Sequence, residues 1–496
     1  TSKIHRPNIV KEKTEKEISN EEITTSSNLK KKINETQFKI NNEQGELHGR
    51  GFFQKLARKD EETRLMQVTK HYSRLSGFDK IQFLSRLQYK RFIPESILVY
   101  KKLFENNVIA RAKYHHHHNL IHLCIQNPGK YEDGIISAWE AMNKLNIEPS
   151  NNLLADMIYC ASKWKNFELG NLWFEKLRGR MNANDVQIKT YNEILYICAT
   201  VGGMKNDDSI LNAGMKIWQD MIENLPHSEF DFNTYSYSLS IHSMLGNIDE
   251  LEKLIELEDK NFENIFQWYK IVNQDKVNKN QESKISLEEK LRLKITTNQI
   301  QWLSKCKLKN NKLDTEENKK VLKLILKKYT YLIQTPNLEP NLLSFYFIFQ
   351  FLSKTNNYEV FVKFVKELEN FDNLSLTFSF YSQLVLIYFK FGKVDQALNI
   401  YEKMKTKFGH LKTFNRAKLT LLKGYSSVGD LQNCLKVFKD IKSSYNDATE
   451  KNNKDSSSVL KGSYLTLIDC YKSKGKLYDL SSIVIVVDSW LKKNSL

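Results

Sequence analysis

The stretch FSFYSQLVLIYFKFGKVDQALNIYEKMK, Phe378 to Lys405, decides how this chain folds. Leu384, Val385, Ile387, Tyr388 and Phe389 place one apolar face on a helix, and Gly392 ends it. A second helix follows, with Ala397, Leu398, Ile400, Tyr401 and Met404 recurring at helical steps. Gly392 stands where a left-handed C-terminal cap costs least, because glycine has no Cβ. A helix pair of this kind buries its apolar faces only against another pair, so one copy predicts neighbours.

The neighbours recur about every 35 residues. Gly429 is the next turn mark, 37 residues on, with Cys434 and Phe438 standing where Ala397 and Tyr401 stood. Asn356 takes the turn position after SFYFIFQFLSKT, and Gly475 closes a later helix. Upstream the frame fits Gly246 after TYSYSLSIHSML, Gly202 after TYNEILYICATV, Lys165–Asn166, and Pro128–Gly129. An array of about nine units covers most of the chain from Gly77 onward.

Residues in this frame resemble the pentatricopeptide repeat family, whose unit opens with Thr-Tyr-Asn and runs through a Gly turn to an aromatic and Glu-x-Met. Thr190-Tyr191-Asn192 matches the opening, and Thr234-Tyr235 follows in the next unit. Gly392, Gln396-Ala397-Leu398 and Tyr401-Glu402-Lys403-Met404 match the turn and second helix. Ile147-Glu148-Pro149 and Leu338-Glu339-Pro340 resemble the unit's usual ending. The tetratricopeptide pattern, with the same period, is not found in order. The expected fold is therefore all-α, a right-handed α-solenoid of antiparallel helix pairs.

Composition agrees with a helical array. Seven prolines and 18 glycines in 496 residues leave little of the punctuation that a β-rich fold needs. The net charge of +17 favours a polyanionic partner, although abundant Lys and Asn also follow from an AT-rich genome. Four of the six cysteines, Cys124, Cys160, Cys198 and Cys470, fall at one position of the first helix and read as small buried residues. No Cys-x-x-Cys pair suggests a disulfide or zinc framework, and no apolar run reaches membrane-spanning length. There is no P-loop, nucleophile elbow or dinucleotide fingerprint, so no enzyme activity and no cofactor are expected.

The organisation reads as follows. Residues 1–50 form a disordered charged arm, and 51–113 hold N-terminal helices with a first degenerate repeat. Repeats fill 114–266, a degenerate Lys/Asn-rich region spans 267–341, and repeats resume over 342–496 around a disordered insertion near 443–458. Two helical segments, Leu287–Trp302 and Glu317–Ile333, survive as one degenerate unit. Lys205 to Asn212 is expected to lengthen a turn after Gly203. Because residue 1 is Thr, any targeting sequence is taken to have been removed already.

The resemblance also implies where RNA is read. In the family one repeat contacts one base, chiefly through the fifth residue of the first helix and the last residue of the unit. Thr190-Tyr191-Asn192 sets the register, which pairs Asn192 with Asp231, the family combination that prefers uracil. The same register offers His118 with Ser150, Ala155 with Gln187, Tyr346 with Thr377, and Ser382 with about Phe414. Ser236 fits as a polar reader whose partner is lost in the irregular middle, while Leu419 and Leu465 supply no base-specific pattern. The competing reading of Asp231 is a helix cap, and that of Asn192 a solvated first-turn residue.

Other tempting features carry less. His115 to His118, with His122 one turn on, lacks a second cluster to complete a metal site, so no metal is assigned and a polar helix start is expected. Trp139, Trp173 and Trp218 read as core, and Lys363, Lys366, Lys390, Lys393, Lys403, Lys405 and Lys407 as candidates for a phosphate groove. The irregular units resemble fungal mitochondrial members of the family. The resemblance implies a mitochondrial matrix protein that binds single-stranded or structured RNA and processes, stabilises or matures a transcript. Small-subunit ribosomal RNA is the favoured target, with the small ribosomal subunit as a partner and no small-molecule substrate. An activator of translation of one messenger, a tetratricopeptide-like protein scaffold and an integral mitoribosomal component are the alternatives.

Overall fold

A computed structural model describes residues 46–277, 286–308, 315–371, 374–409, 415–446 and 454–473. Among them are 22 α-helices, three short 3-10 turns and no strand. The chain divides into two compact units, Thr1–Asp156 and Met157–Leu496.

The first unit begins with α1 (Glu46–Ala57) and α2 (Glu61–Tyr72). Two helix pairs follow, α3 (Gly77–Tyr89) with α4 (Ile93–Glu105), and α5 (Tyr114–Cys124) with α6 (Glu132–Lys144). Helix α5 packs on α3 and α6 on α4, so each pair covers the apolar face of the one before. Helix α7 (Asn151–Trp164) contains the boundary between the units.

Helix α8 (Phe167–Arg178) packs on α7 through Trp173, which meets Trp164 edge-on at 6.4 Å. Six pairs then follow within the second unit. They are α9 (Ile188–Lys205) with α10 (Asp208–Asn224), and α11 (Phe232–Leu245) with α12 (Ile248–Lys260). After the single helix α13 (Phe262–Val277) come α14 (Leu287–Lys305) with α15 (Glu316–Gln334), and α16 (Leu342–Lys354) with α17 (Tyr358–Glu369). The last are α18 (Phe378–Lys390) with α19 (Val394–Phe408), and α20 (Asn415–Ser427) with α21 (Leu431–Asn446), before α22 (Lys454–Ser473). The first helices α9, α11, α14, α16, α18, α20 and α22 each pack on the next, which makes the unit an α-solenoid of stacked helix pairs. Its core is carried by fully buried rings such as Tyr191, Tyr235, Phe345, Phe349 and Phe389, each a large apolar area removed from water.

Turns sit where the period places them. Gly246, Gly392 and Gly429 end their first helices with positive φ, and Asn356 (φ 54°) and Lys165 (φ 55°) do the same without glycine. Gly202 is different. Helix α9 continues through it to Lys205, and the left-handed cap is Asn206, with φ 55°. A Cβ on Gly202 would lie 2.8 Å from the Leu211 side chain, so this glycine serves the close approach of α10 rather than a turn. The turn after Gly203 is therefore not lengthened. The extra residues extend the two helices to 18 and 17 residues, joined by Asn206 and Asp207 alone.

The irregular middle holds an added helix, α13, which the repeat period does not single out. The stack passes it by, since α11 packs directly on α14 and α12 on α15. Residues 278–285 and 309–314, on either side of α14, lie outside the described residues, as do 1–45, Phe414, 447–453, Gly475 and the C-terminal stretch from 474. Ser443 to Asn446 close α21, and Lys454 to Ser458 open α22. Among the described residues no helix is long and apolar enough to cross a membrane, and all six cysteines are buried as free thiols.

Candidate nucleic-acid interface

Asn192 lies in the second turn of α9, and Asp231 is the N-cap of α11. The Asn192 amide Nδ2 donates to Asp231 Oδ1 at 3.1 Å. The same carboxylate oxygen accepts from the Thr234 backbone N–H at 2.8 Å and its hydroxyl at 2.9 Å, while Thr234 Oγ1 accepts from the Asp231 N–H at 3.2 Å. Asp231 thus caps α11 and orients the amide at once. Asn192 Oδ1 is buried beside the carboxylate without a hydrogen-bond partner. Lys294 of α14 adds positive charge nearby. Its amine sits 4.1 Å over the Phe232 ring; burial lowers its pKa, and the Asp231 carboxylate opposes that.

The Ser236 partner comes from the irregular middle. Ser236 Oγ donates to Asn298 Oδ1 at 3.2 Å, which also accepts from the Trp302 indole N–H at 3.0 Å. Asn298 Nδ2 is buried and has no partner. Sequence reasoning missed Asn298, although Thr296-Thr297-Asn298 repeats the end of the Thr190-Tyr191-Asn192 opening with one substitution. Asn341, N-cap of α16, reaches Thr297 Oγ1 at 3.4 Å, so α14 and α16 meet through polar first-turn and mid-helix groups as α9 and α11 do.

Other predicted residues are placed less suggestively. Tyr346 is half-buried, accepts from Gln350 Nε2 and packs edge-on against Phe347, while Thr377 caps α18 by accepting from the Phe380 N–H at 3.3 Å. Ser382 Oγ donates back to the Phe378 carbonyl at 3.0 Å within its own helix. Gln187 is the exposed N-cap of α9 and makes no side-chain cap bond. Leu419 is half-buried, and Leu465 is 50% exposed.

In the first unit, Tyr114 links the predicted pair. Its ring tilts against His118 at 5.7 Å, and its hydroxyl accepts from the Ser150 N–H at 3.3 Å. Ser150 Oγ accepts from the Leu153 N–H, so it also caps α7. Ala155 is half-buried and brings only a methyl group. His118 stacks on His122 with ring centres 6.0 Å apart. Within the run His115 is exposed, as a solvated helix start would have it, but His116 and His117 are buried. Burial pushes both down to about 4, and the His117 Nδ1 bonds the buried Tyr100 hydroxyl. Among the described residues no group of three or more His, Cys, Asp or Glu side chains is placed to hold a metal ion.

Of the seven lysines proposed for a phosphate groove, all are exposed, but only Lys390 lies on a first helix. Lys354, at the end of α16, accompanies it. Burial lowers the pKa of both, and the Lys390 charge lowers Lys354 further. Trp139, Trp173 and Trp218 are core residues of second helices.

The PPR repeat family matches at residues 379–407 and 419–445. These two stretches coincide with α18–α19 and α20–α21. Among solved structures, the pentatricopeptide repeat protein PPR10 from maize is similar over 86% of this chain and 62% of that one, with 13% identity and a TM-score of 0.34. PPR10 in complex with an 18-nt psaJ RNA element is similar over 83% of this chain and 53% of that one, with 14% identity and a TM-score of 0.32. The chain thus spans less than two thirds of the length of these structures. No curated protein sequence matches it.

Proposed function

We propose that this protein binds single-stranded RNA along the face formed by its first helices. The observation that carries this reading is the Asn192–Asp231 pair, an amide held by a capping carboxylate, with its carbonyl oxygen buried and unpaired. An amide offers one donor and one acceptor to a base edge, which suits the mixed pattern of uracil. Lysines at Lys294, Lys354 and Lys390 supply positive charge to the same row of helices. The family resemblance and the two matched repeats support the same reading. The mechanism is passive: a strand held on these helices is kept from nucleases and from wrong pairing.

From the irregular, Lys/Asn-rich units we infer a mitochondrial factor that processes, stabilises or matures a transcript, with small-subunit ribosomal RNA as the target. A messenger-specific activator differs from this only in the transcript bound. Leu465, half exposed at a reading position, favours protein contacts at the C-terminal pairs and hence a second role as a ribosomal or scaffold component.

Crosslinking followed by RNA sequencing from the native organelle tests the proposal. A sharp set of uridine-containing sites on one transcript, flattened by Asn192→Ala, is the expected result. An RNA yield no higher than that of a non-binding control overturns it.

A further inference from the structure

One helical turn beyond Asn192 and Asn298, the helices α9, α11 and α14 border an open cavity of about 400 Å3, lined by Ser236 itself. Its size falls in the range of small-ligand pockets. Three aromatic rings, Tyr196, Tyr237 and Trp302, line it, with the thioethers of Met204 and Met244 and the amine of Lys305. Each of the three helices contributes, and all lie in the second unit.

The rings are held in place before any ligand arrives. The Trp302 indole N–H is fixed by Asn298 Oδ1 at 3.0 Å, and its carbonyl accepts from Ser243 Oγ at 2.6 Å. Tyr196 and Tyr237 pack at 5.5 Å with their planes tilted by 60°. Lys305 places its amine 4.8 Å over the Trp302 ring and remains exposed at the rim. Met204 is 71% exposed, a large apolar side chain left in solvent at the mouth. Beside Trp302 the Asn298 Nδ2 is a buried donor without a partner.

We infer that this cavity is a stacking site for one unpaired nucleobase, whose flanking phosphate is held by Lys305. The proposal rests on the RNA-binding reading and extends it from edge reading to a face-on contact. A flat heterocycle suits a lining of three aromatic residues and two methionines. Stacking on an aromatic is sequence-tolerant, because every base has a π face. The site therefore anchors the strand without selecting a base. An apolar side chain of a protein partner would fill the same rings but would leave the Lys305 charge unanswered, so the cation favours an anionic polymer.

The test uses the purified full chain and short single-stranded RNA of random sequence carrying 4-thiouridine. Photocrosslinked adducts, mapped by mass spectrometry, are expected on peptides containing Trp302, Tyr237 or Tyr196. Trp302→Ala should weaken binding by about 5- to 100-fold, the usual span for losing one base stack. Trp302→Phe, which keeps a ring, should bind within about threefold of the parent. If Trp302→Ala lowers the melting temperature, the adduct map on the unaltered chain decides alone. RNA binding with adducts only elsewhere, or unchanged affinity in a folded Trp302→Ala chain, overturns the stacking site while leaving the wider RNA reading intact. That outcome would return the cavity to a protein side chain. Absence of RNA binding by the unaltered chain overturns both.

Discussion

Two glycines with the same backbone conformation separate the contributions to a repeat turn. Gly392 has φ +69° and open space where a Cβ would go, so Gly392→Ala meets only the left-handed penalty of about 1–2 kcal/mol. Gly246 has φ +76°, and its Cβ would also lie 2.6 Å from the Lys307 carbonyl oxygen. Gly246→Ala should therefore cost more than Gly392→Ala, which denaturant unfolding of the two variants measures; equal losses would refute the steric account. Glu258 makes a second test. It is fully buried, accepts from Gln299 Nε2 at 2.8 Å, and burial pushes its pKa up to about 8. The folded state holds the proton more tightly than the unfolded chain, so this contribution is present below about pH 4.5 and is lost as pH rises through about 8. Glu258→Gln removes that titration, and its stability should depend less on pH over this window than that of the parent, as thermal melts at a series of pH values will show.

Helix α5 carries the opposite dependence. His116 and His117 are held neutral by burial down to about pH 4, so the unfolded chain binds protons first as pH falls. Local stability around α5 should decline from about pH 6.5 towards 4. Hydrogen exchange of α4 and α5 amides, corrected for intrinsic rates, should report easier opening at pH 5 than at pH 7; unchanged opening would contradict the buried neutral imidazoles. These histidines also show where reading a sequence stops. A polar run at a helix start looks solvated, and only packing against α4 reveals that Tyr100 covers His117. The pairs themselves are legible, because a left-handed turn at Gly392 and helical spacing on either side are local properties of the chain. Gly202 is not, since a glycine that admits Leu211 and one that ends a helix look alike in one dimension. Asn298 escapes for another reason. The register is lost across α13, and only the direct packing of α11 on α14 returns it to Ser236.

Charge and length act on the molecule as a whole. With a net charge of +17, affinity for RNA should fall steeply with salt. A strand whose binding neutralises about six phosphates gives a log–log slope near −4, and a slope near zero would exclude a phosphate-based contact. The reading row is uneven along the second unit, with amides at Asn192 and Asn298, hydroxyls at Ser236 and Ser382, and leucines at Leu419 and Leu465. Base preference should accordingly concentrate near α9 to α14. The most direct measurement is equilibrium binding of the purified chain to a pool of random single-stranded RNA, compared with duplexes of the same length at moderate salt. Saturable binding to single strands, weaker binding to duplexes, and a uridine preference at one position that disappears in Asn192→Ala are the predicted results. Equal affinity for both forms, or none above an uncharged control polymer, would contradict the claim that the first helices hold a single strand.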